Sequence, residues 1–323
     1  MPARHHASTE LIEAAQSRSA TIESQGSGIG LALLAAALWG LAPVATKGAL
    51  QGFSPELISV LRLGIAACLF RRLGGPRTRW WPVERWSWIG GVALGADFIL
   101  YNYGLRLTSA SVSGLVVNVE VVSTIAFAVW LLGERLDRRQ VIGSVVTLGG
   151  VIFVASAGVS LGALAAQEHV LGNVLVMLAG MSWSLFAVAQ RKVPRRHNLF
   201  QMLTPIFAVA ALTTVPPLLL RGAWHNPAGV QPTAMLLVLI VFCTAGVYLV
   251  YARCQELIDV SVLAIVLASI PVFAVACAWL VLGEPISARV VIGGTIILSG
   301  ILLITTERPA TAVLESTAVE RGP

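Results

Sequence analysis

Three ionisable residues stand out because their surroundings are so apolar. Arg62, Asp97 and Glu120 each fall near the middle of a hydrophobic run of about 20 residues, the length that crosses a bilayer. A charge at that depth costs at least ~2.5 kcal/mol, so each requires a reason. Two carboxylates and one guanidinium at similar depth suit two kinds of chemistry. A carboxylate moved out of water and set beside a second one takes up and releases protons more readily near neutral pH. Either acid also pairs with a solute amine. Arg62 neutralises one of the two if they meet, which leaves one acid over; the spacing does not say which.

Other residues at this depth suit the orientation of a small polar solute. Tyr101 and Asn118 belong to the same runs as the two acids, with Asn102, Tyr103, Ser123 and Thr124 nearby, and Trp183, Tyr248 and Tyr251 lie further along. Trp39 and Trp183 occupy equivalent places in two related segments. A mainly apolar pocket with a few polar groups is the usual form of a small-molecule site. A second group reads as structural. Gly133-Glu134 and Gly283-Glu284 each close a span just ahead of the next, where glycine ends a helix and glutamate caps a helix N-terminus or fixes a turn. Gly91 and Gly95 form a small-residue pair suited to close helix contact.

The elements that must position these groups follow from composition. The 323 residues are 56% hydrophobic and 12% charged, with a mean hydropathy of +0.81. So few charges cannot cover soluble domains of this total size. Ten apolar spans are expected, at about 30–49, 54–70, 86–105, 110–132, 140–157, 171–190, 199–220, 234–252, 260–282 and 289–306. Segments this long satisfy their backbone groups in lipid only as helices. The loops after even-numbered spans, with the ends of the spans beside them, hold thirteen Lys and Arg, including Arg71, Arg77, Arg79, Arg138, Arg195 and Arg196. The alternate loops hold four, Lys47, Arg106, Arg221 and Arg289. That split places both termini in the cytoplasm. The net charge of +6 therefore orients the chain in lipid and does not point to nucleic acid. Trp80, Trp81, Trp86 and Trp88 fit an interfacial aromatic belt.

The chain also repeats itself. Between residues 111–150 and 261–300, 15 of 40 positions are identical without a gap, including Leu132-Gly133-Glu134 against Leu282-Gly283-Glu284 and Val141-Ile142-Gly143 against Val291-Ile292-Gly293. At an offset of 144, Trp39 and Lys47 fall on Trp183 and Arg191. A unit of five spans is odd in number, so its second copy enters from the opposite side. The expected fold is thus an all-α membrane protein of ten transmembrane helices in two inverted five-helix repeats, a plan that supports alternating access. The divisions are a cytoplasmic tail at 1–28, a first repeat at 29–157, an extracytoplasmic linker at 158–170, a second repeat at 171–306 and a cytoplasmic tail at 307–323. Pro43, Pro205 and Pro271 within spans are candidate bends or hinges.

The duplicated Leu-Gly-Glu and Ile-Gly, with Trp39-Gly40 in the first span, resemble the EamA branch of the drug/metabolite transporter superfamily over about residues 30–306. The family's usual proline in the fourth span of each half is present as Pro271 and replaced by Val121 in the first half, where its adjacent glutamate matches Glu120. The resemblance implies a plasma-membrane exporter of amino acids, other metabolites or drugs, and it favours Glu120 over Asp97 as the residue that couples protons or binds a substrate amine.

No P-loop, HExxH, GxSxG or His/Cys cluster occurs, so no ATP-driven pump, cofactor or metal is expected. The expected partners are the lipid bilayer, a small-molecule substrate and, as a candidate coupling ion, protons. An importer or facilitator is the alternative within the same class; an intramembrane enzyme using Asp97 and Glu120 as paired acids is the alternative outside it. The pattern specifies no oligomeric state.

Overall fold

The computed structural model describes residues 27–133, 138–155, 167–193, 198–221, 229–257, 266–267 and 269–305. Glu134, the tails apart from residues 27–28, and most of the 158–170 linker lie outside them. Every regular element among the described residues is helical.

The first five expected spans correspond to α1 (Ser27–Ala49), α2 (Pro55–Leu73), α3 (Arg85–Leu107), a broken fourth made of α4 (Ala110–Val116) and α5 (Val119–Phe127), and α6 (Arg138–Ala155). The next five are α7 (Gln167–Arg191), α8 (Leu199–Arg221), α9 (Val230–Ile240) running through a π turn into α10 (Val247–Leu257), α11 (Ile270–Leu282) and α12 (Ala288–Thr305). Among the described residues, five stretches are long and apolar enough to cross a membrane: Ser27–Ala49, Ala110–Leu131, His169–Arg191, Leu199–Leu220 and Val230–Tyr251. Shorter apolar helices cover Val141–Val154, Ile270–Leu282 and Ala288–Leu303. The α2 and α3 helices, with 19 and 23 residues, are long enough but carry Arg62 and Asp97.

Local signals set the helix ends. Ser54 accepts from the Leu57 N–H at 3.2 Å, with Pro55 opening α2. Ser109 does the same for α4 through Val112. Gly133 and Gly283 have φ of +72° and +65°, the left-handed conformation that ends a helix and favours glycine. Pro271 lies in the first turn of α11 and not in a helix interior, so it opens the helix instead of bending it. Pro205 is inside α8, with Pro216 and Pro217.

Helices pair across the two halves of the chain. α2 packs on α8, α6 on α12, α4 on α11, and α3 on α7. α1 packs on α9 and α10 through Ala45, Ala49, Leu239 and Cys243, and through Ala32 and Cys254. Glycines allow the closest crossings. A Cβ on Gly95 would lie 2.7 Å from the Ala210 carbonyl oxygen, and one on Gly91 2.5 Å from Val209 Cβ. Gly150 faces Ile297, while Gly300 faces Thr147, so equivalent glycines make reciprocal contacts at the α6–α12 crossing.

One end of the bundle gathers the basic loops. Phe70 of α2 meets Phe200 of α8 there, and Lys192 lies 4.5 Å over the Trp86 ring. Trp81 and Trp88 stack at 6.3 Å, both exposed. The other end gathers Lys47, Thr108, Asn173 and Glu284.

Candidate functional site

The three charged residues of the span centres converge. Asp97 of α3 lies within electrostatic range of both Arg62 of α2 and Glu120 of α5, and Tyr101, one turn further along α3, lies within range of all three. Tyr248 of α10 closes the same space beside Arg62 and Asp97. Asp97 is 8% exposed and Arg62 6%.

Arg62 forms no ion pair with Asp97 or Glu120. Its Nε donates to Thr244 Oγ1 at 2.9 Å, and its guanidinium lies 4.5 Å over the Phe98 ring. Thr244 is presented to Arg62 by a local change of helix type. Over Val241–Gly246, between α9 and α10, the chain adopts a π turn, and the Thr244 hydroxyl donates to the Leu239 carbonyl at 2.8 Å while accepting from Arg62. Gly246 suits this turn, because a Cβ there would sit 2.7 Å from the Val241 carbonyl oxygen. Among the described residues, neither Asp97 nor Glu120 has a side-chain hydrogen bond or ion pair, and the ion pair present is Lys47–Glu284.

Glu120 sits just past a break in its span. α4 ends at Val116, a turn at Val117–Asn118 follows, and α5 begins at Val119. A carboxylate in the first turn of a half-helix meets the positive end of the helix dipole. Asn118 stabilises the break: its amide donates to the Gly114 and Leu115 carbonyls at 2.9 and 3.1 Å. Those bonds occupy its donors, so it shapes the site more than it offers groups to a solute. Ser184 of α7 donates to the Glu120 carbonyl at 2.8 Å and contacts Ser123 at 2.9 Å, fixing α5 against α7.

Trp39 joins the aromatic wall of the second half, edge-on to Tyr248 at 6.0 Å and to Tyr251 at 5.4 Å. Trp183 packs in the same cluster and meets Phe186 at 6.2 Å. Asn102 and Tyr103 are held elsewhere. The Asn102 amide donates to Ser59 Oγ at 2.8 Å and the Tyr103 hydroxyl donates to Glu56, both toward the start of α2. Thr244, Phe98 and Cys243 belong to the charged cluster although neither hydropathy nor motif singled them out; the Thr-Ala-Gly of residues 244–246 was the only local hint.

Glu284 caps a helix, but in the other half of the chain. It accepts from the Ala110 and Ser111 N–H groups at 3.0 Å each and from Ser111 Oγ at 2.7 Å, and it pairs with Lys47 at 3.2 Å. The motif thus joins the α11–α12 link to the start of α4. His169 also lies at this end, its Nδ1 2.7 Å from the Leu107 carbonyl oxygen. The four cysteines are free.

A bundle of apolar helices with Arg62 and Asp97 buried and Glu120 half-buried among them has the architecture of a multi-pass membrane protein. The model of the EamA-like transporter family matches the chain twice, over residues 26–156 and 170–306, and the chain belongs to that family of membrane transporters. A curated relative from Archaeoglobus fulgidus, described as an uncharacterized transporter, is 22% identical over 278 residues, covering 85% of this chain and 97% of the relative. A second uncharacterized transporter from the same organism is 25% identical over 138 residues, 42% of this chain and 47% of the relative. A crystal structure of a protein given no functional description superposes with a TM-score of 0.61 at 21% identity, covering 92% of this chain and 99% of that one, and shows a shared fold.

Proposed function

We propose that this transporter is a secondary-active carrier of the plasma membrane that exports a small metabolite of amino-acid type, or a drug, by alternating access, with protons as the coupling ion. The observation that carries this is the charged cluster: Asp97, without a hydrogen-bonded partner among the described residues, lies between Glu120 on one side and Arg62 on the other, and Arg62 is held by Thr244 and the Phe98 ring. The carboxylates suit an amine or a proton, and the guanidinium suits a carboxylate. The wall of Trp39, Tyr248 and Tyr251 supplies the apolar contact such a site needs.

The reciprocal pairing of α2 with α8, α6 with α12 and α4 with α11 supports two inverted halves, and the excess of Lys and Arg in the loops after even-numbered spans supports both termini in the cytoplasm. Proton-driven counterflow in proteoliposomes, with amino acids, cationic drugs and sugars as test solutes, is the direct assay. Glu120→Gln or Asp97→Asn is expected to abolish the response to an imposed pH gradient; full coupling retained in both variants would overturn the assignment.

A further inference from the structure

We infer that Glu284, Lys47 and Ser111 form a gate over the charged site, at the end of the bundle opposite the basic loops. The inference rests on the transport reading above, because a gate matters only if the site is reached from both sides.

The cluster joins three elements that flank the route to the site. Lys47 lies near the end of α1, eight residues or about 12 Å beyond Trp39. Ser111 opens α4, nine residues or about 13 Å before Glu120. Glu284 belongs to the link between α11 and α12. Between this cluster and the site the same helices touch at backbone distance. A Cβ on Gly40 would fall 2.4 Å from Phe273 Cβ, and one on Gly114 2.6 Å from Ala274 Cβ. The three helices therefore close over the site, and the glutamate holds them together above that contact.

The type of bond fits a latch more than a permanent brace. Every bond to the Glu284 carboxylate comes from another segment: two backbone donors and a hydroxyl of α4, and the ammonium of α1. Lys47 also donates to the Thr108 carbonyl at 3.1 Å, bringing in the α3–α4 link. The side chains of Glu284 and Lys47 are 15% and 35% exposed, so water can replace these partners without opening a dry core. Duplication puts the same two charge types at the equivalent positions of the other copy, as Glu134 and Arg191, of which Glu134 lies outside the described residues. A carrier built from inverted halves needs one closure at each end.

Cys243 reports on the gate without altering it. It is 2% exposed and lies beside Arg62. With Cys68→Ser, Cys254→Ala and Cys277→Ala, it is the sole thiol. Its reaction with a membrane-impermeant maleimide is then followed in the full chain, in vesicles of each orientation. Glu284→Gln and Lys47→Met are each expected to raise labelling from the gate side about tenfold, the usual effect of weakening one coupled contact, and to leave labelling from the basic-loop side unchanged. Should Glu284→Gln fail to fold, Lys47→Met decides, since it keeps the start of α4 capped. Unchanged labelling, or an equal rise from both sides, would overturn the gate. Raised one-sided labelling in a protein that moves no solute would retain the gate and overturn the transport reading.

Discussion

Glu284 shows how one carboxyl can be read twice, first as a cap and then as a tie between halves. Burial alone would raise its pKa, but hydrogen bonds from Ser111 and Ala110, together with the Lys47 ammonium, outweigh that and hold it below the ordinary carboxylate value of 4.5. A depressed carboxyl contributes stability that is complete above its unfolded pKa and disappears as pH falls through the folded one. Wild-type protein is therefore expected to exceed Glu284→Gln in thermal stability at pH 6 and to lose that advantage progressively below pH 4.5, as measured by melting in detergent across that range. At the same scale, Arg62, Asp97 and Glu120 were legible because a charge in an apolar run is conspicuous. Their partners were not. Thr244 reaches Arg62 from 182 residues away, and a threonine in a hydrophobic span is ordinary.

Helix breaks and close crossings decide how the elements present these residues. Periodicity and length locate the spans, but the turn at Val117–Asn118 and the π turn at Val241–Gly246 leave hydropathy unchanged. Both place the site's key groups, Glu120 after one and Thr244 within the other. The glycines of α3 are more readable, since Gly91 and Gly95 are spaced to lie on one helix face. Gly95→Ala puts a methyl group 2.7 Å from a backbone oxygen of α8, an overpacking expected to cost about 1–3 kcal/mol. Gly64→Ala meets nothing within 4 Å and is expected to be neutral or to stabilise α2 by about 0.5–1 kcal/mol. Melting temperatures of the two variants in the same detergent check the contrast; equal losses would show that α3 and α8 are not in contact.

Across the whole molecule, the pairing of helices from opposite halves turns a repeat in sequence into an arrangement in space. The loop charges give its orientation a separate check. A cysteine in the loop before Trp80 and one at Asn198 are expected to react from the same side of the membrane, and a cysteine at His169 from the other. Side-selective labelling of intact cells measures this directly. Reaction of all three from one side would contradict the inverted arrangement.

Membrane residence, the duplication and the identity of the charges set in apolar runs are legible in the sequence alone, because bilayer thickness and the cost of a charge in lipid leave a composition-level signature. Tertiary structure decided which partner each charge takes. Arg62 meets a threonine and an aromatic ring instead of an acid, and Glu284 caps a helix of the other half. Those outcomes depend on distances of about 3 Å between segments remote in the chain, set by glycine crossings and local changes of helix type that hydropathy does not register.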